Sequence, residues 1–172
     1  SPVQFRQPDL LARLRQALER YGLQGVDLEL EITESVVIDD VDSVTDTVNA
    51  IRSIGVSLAM DDFGTGYSAL SYLTRLPFQK LKIDQSFIRN PNGNNWPIVG
   101  AVIQLARELG MQTIAEGVES REHVTQLAKL GCDIGQGFLY SKPLPAAAFS
   151  EWLVEQSRSS VQPQQLLMSE VP

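Results

Sequence analysis

The stretch VDSVTDTVNAIRSIGVSLAMDD, Val41–Asp62, decides how the chain is read. Val44, Val48 and Ile51 recur at helical spacing, so one stripe of a helix over Val41–Ile54 is apolar. Gly55 follows where a helix C-terminus favours a left-handed residue, which glycine adopts without a Cβ clash. Val56–Asp61 then reads as a short strand, and the stretch closes on two adjacent carboxylates, Asp61 and Asp62.

The same unit of helix, glycine and strand recurs along the chain. Further strands are predicted over Val26–Ile32, Lys80–Asp84, Gln112–Glu116 and Ile134–Leu139. Amphipathic helices are predicted over Leu10–Tyr21, Ile98–Leu109 and Glu122–Leu130, with Gly22, Gly110 and Gly131 at their ends. Repeated β-α units predict an α/β fold with a parallel sheet, either open or closed into a barrel. A (β/α)8 barrel needs eight strands and roughly 250 residues. If the sheet belongs to such a barrel, the chain is an incomplete fragment lacking the first strands.

The 172 residues suffice for one domain with a core, with 43% hydrophobic and 20% charged residues. No apolar run of membrane-spanning length occurs, and no signal peptide is visible. The chain starts at Ser1, not Met, and reads as a piece of something longer. Cys132 is the one cysteine, so no disulfide framework is expected and a reducing compartment is implied. A net charge of −7 argues against a broad surface for DNA or RNA polymers, which needs a basic face. Residues 1–155 are expected to form the domain, and 156–172, rich in Ser, Gln and Pro, a flexible polar tail.

Each predicted strand ends in, or contains, a residue able to do chemistry: Glu31, then Asp61 and Asp62, then Lys82 and Asp84, then Glu116, then Gln136. Ligand sites of β/α barrels and of open α/β sheets gather at the C-terminal strand ends. One site assembled from distant segments is therefore expected. Glu31, Asp61, Asp62 and Glu116 offer hard oxygen ligands for Mg²⁺ or Mn²⁺. Strand-end carboxylates can instead cap the helix that follows. Gly64-Thr65-Gly66 leaves backbone amides able to face an anion. Carboxylates for metal beside amides for phosphate suit phosphoryl transfer or phosphodiester hydrolysis.

Lys82 could pair with a buried aspartate, serve a hydrolytic water, or form a Schiff base as in barrel aldolases. Nearby carboxylates favour its charged form, which disfavours the last use. Glu34 could be a helix-start or solvated residue, or an anchor for the glycine turn. Glu119 could cap the next helix. Gln136, between Gly135 and Gly137, could contact a phosphate, a base edge or a metal-bound water, or sit in a plain turn. His123 is expected at the surface, Trp96 and Trp152 in packing, and Cys132 as a buried small hydrophobe. Gly64–Ala69 also fits G-x-G-x-x-G/A, with Asp84 20 residues beyond Gly64, the spacing of a dinucleotide-binding fingerprint. That reading sets Asp61 and Asp62 against a pyrophosphate and leaves the other strand-end residues unexplained.

Five segments together resemble the EAL-domain family, bacterial phosphodiesterases of cyclic di-GMP. They are Glu31-Ile32-Thr33-Glu34, Asp61-Asp62-Phe63-Gly64-Thr65-Gly66, Lys82-Ile83-Asp84, Glu116-Gly117-Val118-Glu119 and Gln136-Gly137-Phe138, in the family's order. The resemblance spans roughly residues 1–153. It implies a modified (β/α)8 barrel of the TIM type with one strand reversed. It implies metal-dependent hydrolysis of cyclic di-GMP to linear pGpG, supported by Mg²⁺ or Mn²⁺ and inhibited by Ca²⁺. Glu31 and Asp61 would hold one metal, and Asp61, Asp62 and Glu116 the second. Lys82 and Glu116 would be catalytic, and Gln136 and Asp84 would face substrate. Glu34, Gly64, Thr65, Gly66 and Glu119 would serve a loop linked to a homodimer interface. The family's Glu-Ala-Leu segment and a metal-binding Asn would lie upstream of Ser1 and supply two further ligands. N-terminal sensory or cyclase domains and a cytoplasmic location, with tethering to the inner membrane in the longer protein, are also implied. The competing expectation is a catalytically inactive cyclic di-GMP receptor.

Overall fold

Val48 and Ile51 are fully buried and Val44 nearly so, as the stripe in Val41–Asp62 requires. Each such side chain contributes about 1.5–3 kcal/mol relative to exposure. The computed structural model describes residues 2–34, 36, 41–64, 73–90 and 94–158. Five strands form one sheet in sequential order: β1 (Glu29–Thr33), β2 (Ser57–Phe63), β3 (Lys80–Ile83), β4 (Gln112–Ala115) and β5 (Ile134–Gly135). β1 runs parallel to β2 with Thr33 opposite Asp61, and β4 runs parallel to β5 with Ala115 opposite Gly135. The chain divides into two compact units, Ser1–Lys82 with Ala106–Met111, and Ile83–Leu105 with Gln112–Pro172.

In the first unit, α1 (Pro2–Phe5) and α2 (Leu10–Tyr21) precede β1, and α3 (Val41–Ser53) lies between β1 and β2. α2 keeps the predicted bounds and ends at Gly22, whose φ of 64° supplies the left-handed cap. The core is built from α3 together with Ile32, Leu58, Met60 and Leu81. β1 starts at Glu29, later than the predicted Val26, because Gly25–Asp27 close a 3-10 turn. The Gln24 amide donates to Asp27 Oδ2 over 2.8 Å. A Cβ on Gly25 would run into the Ile54 carbonyl, so this turn packs directly against the α3–β2 connection. Gln79 leads into β3 by imitating a strand residue. Its amide donates to the Leu58 carbonyl at 3.0 Å, and its side-chain oxygen accepts from the Leu58 amide at 2.8 Å.

In the second unit, α4 (Gln85–Ile88) is one turn, capped where Asp84 Oδ1 accepts from the Ser86 amide at 2.9 Å. α5 (Trp96–Glu108) buries Val99 and Ile103. α6 (Arg121–Leu130) buries Val124 and Leu127, and its cap is Ser120, which accepts from the His123 amide, rather than Glu119. β5 is shorter than the predicted Ile134–Leu139. Gln136 and Leu139 turn instead to exchange backbone bonds with Val118, at 3.0 Å each. The last described element is α7 (Ala146–Arg158), a helix absent from the sequence expectation, favoured by three successive alanines after Pro145; the rest of the expected tail lies outside the described residues. Thr113 locks the entry to β4: its amide and hydroxyl both donate to Asp133 Oδ2, at 2.7 and 2.8 Å, and its hydroxyl accepts from the Asp133 amide at 3.1 Å. No described helix is long and apolar enough to cross a membrane.

Candidate metal centre

β1 and β2 fix the first half of the site. Thr33 lies opposite Asp61 in the parallel register, and Glu31 lies two residues before Thr33. With a side-chain period of two, Glu31 and Asp61 therefore share one face of the sheet. Lys82 stands between them from β3. Its side chain is only 4% exposed, and its Nζ lies 2.8 Å from both Glu31 Oε1 and Asp61 Oδ1. An ammonium so buried requires compensation, and two carboxylates supply it. Of the uses open to Lys82, ion pairing is realised, with Glu31 and the half-buried Asp61 as partners.

Asp62 solves a geometric problem. Adjacent strand residues point to opposite faces, so consecutive aspartates would normally diverge. Asp62 has φ of 56°, and no other described non-glycine residue has positive φ. Short polar side chains tolerate this left-handed region better than most. The strand alternation is broken at Asp62. Glu31, Asp61, Asp62 and Glu116 offer hard, anionic oxygen donors, which suit a divalent cation such as Mg²⁺ or Mn²⁺ and suit a soft or thiophilic metal poorly.

Glu116 opens a turn whose residues are individually held. The Glu116 amide donates to the Ile83 carbonyl at 3.0 Å. Gly117 has φ of 71°, and a Cβ there would stand 2.6 Å from Gln85 Cβ. Val118 is fully buried. Glu119 Oε1 pairs with Arg89 Nη2 at 2.7 Å, and the Glu119 amide donates to His123 Nδ1 at 3.3 Å. His123 is thus half-buried beside Trp96, with ring centroids 6.2 Å apart, rather than displayed at the surface as expected. The Gln136 amide donates to the Ala115 carbonyl at 2.8 Å, which aligns its backbone with the end of β4. Gly137 is obligatory, because a Cβ would strike the Val118 backbone.

Glu34 is buried, with 5% exposure, and its Oε2 has no hydrogen-bond partner among the described residues. Burial removes the solvated-loop reading. Gly64 has φ of 95° and ends the described part of the glycine turn, while Thr65 and Gly66 lie outside the described residues. Asp84 caps α4 through its Oδ1. Cys132 is 2% exposed and reads as the expected buried hydrophobe; desolvation pushes its thiol pKa up. Desolvation likewise raises Tyr140, whose buried hydroxyl has no partner among the described residues. Sequence reasoning missed Arg89, because a lone arginine after a one-turn helix carries no spacing signal.

The family model for the EAL domain matches residues 1–143. The chain is 42% identical over 146 residues to the cyclic di-GMP phosphodiesterase NbdA of Pseudomonas aeruginosa, covering 84% of this chain and 19% of that protein. It spans about a fifth of the length of the curated relatives it matches. Among solved structures it resembles the PaMucR phosphodiesterase in complex with c-di-GMP, with a TM-score of 0.83 and 40% identity, over 87% of this chain and 61% of that one. It also resembles BlrP1 of Klebsiella pneumoniae, solved as a manganese/cy-diGMP complex, with a TM-score of 0.74 and 37% identity, over 81% of this chain and 36% of that one. The five-stranded α/β sheet is accordingly a fragment of a TIM-type barrel, and the dinucleotide-binding alternative is set aside. The chain belongs to the EAL-domain family.

Proposed function

We propose that the protein of which this chain forms part hydrolyses cyclic di-GMP to linear pGpG in bacterial signalling. The observation that carries this reading is the Glu31–Lys82–Asp61 constellation, with Lys82 Nζ 2.8 Å from both carboxylates and Asp62 next in sequence, in a chain of a family with named cyclic di-GMP phosphodiesterases. Glu31 and Asp61 would hold one divalent cation, and Asp61, Asp62 and Glu116 a second. Bound Mg²⁺ or Mn²⁺ supplies stabilisation of the charge that develops on the phosphodiester and its leaving oxygen. Ca²⁺, larger and satisfied by looser coordination, would inhibit.

Lys82 is the residue that orients the attacking water. Its ammonium is already fixed by Glu31 and Asp61, so little is lost in reorganisation when substrate arrives. Gln136 and Asp84 face the dinucleotide. Glu34 and Glu119, with Gly64, Thr65 and Gly66, form the loop system that links the site to a homodimer interface. The two remaining ligands are taken to be the Glu-Ala-Leu glutamate and the Asn of the wider domain. A single buried cysteine and a second-messenger substrate favour the cytoplasm, with sensory or cyclase domains on the same polypeptide.

The test uses the full-length protein with Mn²⁺ and cyclic di-GMP, with pGpG followed by chromatography. Turnover is expected, and Asp61→Asn is expected to abolish it. Tight binding of cyclic di-GMP without pGpG would establish an inactive receptor instead. Undiminished turnover in Asp61→Asn would overturn the metal assignment.

A further inference from the structure

We propose that Arg89 is a positioning residue that fixes two turns of the site, Glu116–Glu119 and Gln136–Phe138, as one body. The inference rests on the reading of Glu116 as a metal ligand. Arg89 follows α4, and its amide donates to the Gln85 carbonyl at 2.8 Å. Its aim is set by a one-turn helix that Asp84 caps. From there its side chain meets both turns. Nη2 binds Glu119 Oε1 at 2.7 Å. The guanidinium carbon lies 5.6 Å from the centroid of the Phe138 ring, within cation–π range.

The contact with the first turn is close enough to constrain sequence. Arg89 Nε is buried and lies 2.9 Å from where a Cβ on Gly117 would stand. Only a glycine leaves the guanidinium room to lie against the turn. The two turns are already joined through their backbones, since Val118 donates to Gln136 and accepts from Leu139. Those bonds set the spacing of the turns, but neither holds the Glu119 end of the first turn. His123 Nδ1 accepts from the Glu119 amide at 3.3 Å, and Arg89 holds the Glu119 side chain, and through it the orientation of Glu116 three residues earlier. A second cation, Lys142, stands 6.0 Å from the same Phe138 ring.

Outer partners of metal ligands typically carry 10–100-fold in metal affinity or activity. In the full-length protein, Arg89→Gln is expected to weaken Mn²⁺ binding roughly 10–100-fold by titration calorimetry with the metal alone. Turnover of cyclic di-GMP should fall in kcat more than it rises in KM. Glu119→Gln should reproduce the loss, and the double variant should be no worse than either single one. Arg89→Lys keeps the charge without the planar fork and should recover only part of the affinity; it also carries the test if Arg89→Gln fails to fold. Wild-type Mn²⁺ affinity in a folded Arg89→Gln protein, or additive losses in the double variant, would overturn the proposal. A wild-type protein that binds Mn²⁺ with this Arg89 dependence but yields no pGpG would sink the hydrolase reading and leave the positioning role standing.

Discussion

Lys82→Met removes the ammonium between Glu31 and Asp61 while keeping most of the side chain's length and volume, so little cavity forms. Two charge-assisted hydrogen bonds of 2.8 Å are lost. Such bonds contribute about 1.5–3 kcal/mol each when both partners are desolvated. Glu31 is not, with a side chain 47% exposed, and water replaces much of what it loses; Asp61, at 20%, is less able to compensate. The net expectation is a loss of about 2–3 kcal/mol, or roughly 30–150-fold in the folding equilibrium. Urea unfolding in the presence of a chelator reads this as a shift in midpoint of about 1–2 M at an unchanged slope of typical size. With saturating Mn²⁺ the difference should shrink, because the cation compensates the same carboxylates. A loss below about 0.5 kcal/mol in chelator would refute the view that the two bonds hold a buried charge. A loss that Mn²⁺ leaves untouched would separate Glu31 and Asp61 from the metal.

Three further expectations follow from single contacts. Gly137→Ala drives a Cβ into the Val118 backbone and should cost about 1–3 kcal/mol, read from the thermal midpoint; a neutral result would show that the turn relaxes freely. Thr113→Val removes one of the two donors to Asp133 Oδ2 and the acceptor of the Asp133 amide, and should cost about 2 kcal/mol in urea unfolding, whereas retention of wild-type stability would show that water replaces the hydroxyl. Cys132 should resist alkylation until the chain unfolds. Its folded pKa is raised above 9.0 by burial, so the folded state keeps a proton the unfolded state releases. That contribution is complete below pH 9.0 and declines as pH rises through the folded value, making Cys132→Ala less sensitive to alkali than the parent.

Helix stripes survive from sequence to structure because their spacing is local. Leu10–Tyr21 and the Val44, Val48 and Ile51 face needed nothing beyond neighbours three and four residues away. The glycine stops at Gly22, Gly55, Gly110 and Gly131 are equally local, and all four have positive φ. Strand ends were less legible, since long-range bonds set them. β1 yields its start to the Gly25 turn against Ile54, and β5 yields its end to the bonds Gln136 and Leu139 make with Val118. α7 was missed because no apolar stripe announces it, although its alanines favour helix.

What the sequence determined alone was the family. Strand-end carboxylates, a lysine and a glutamine between glycines, in that order, identify it. Only tertiary structure decided how those residues meet. It assigns Lys82 to Glu31 and Asp61, and turns Asp62 back by a left-handed φ. It also brings in Arg89, which no motif marked. The physical reason is that residue type fixes what an atom can bind, whereas register, backbone handedness and close approach at glycine fix which atoms come within 3 Å.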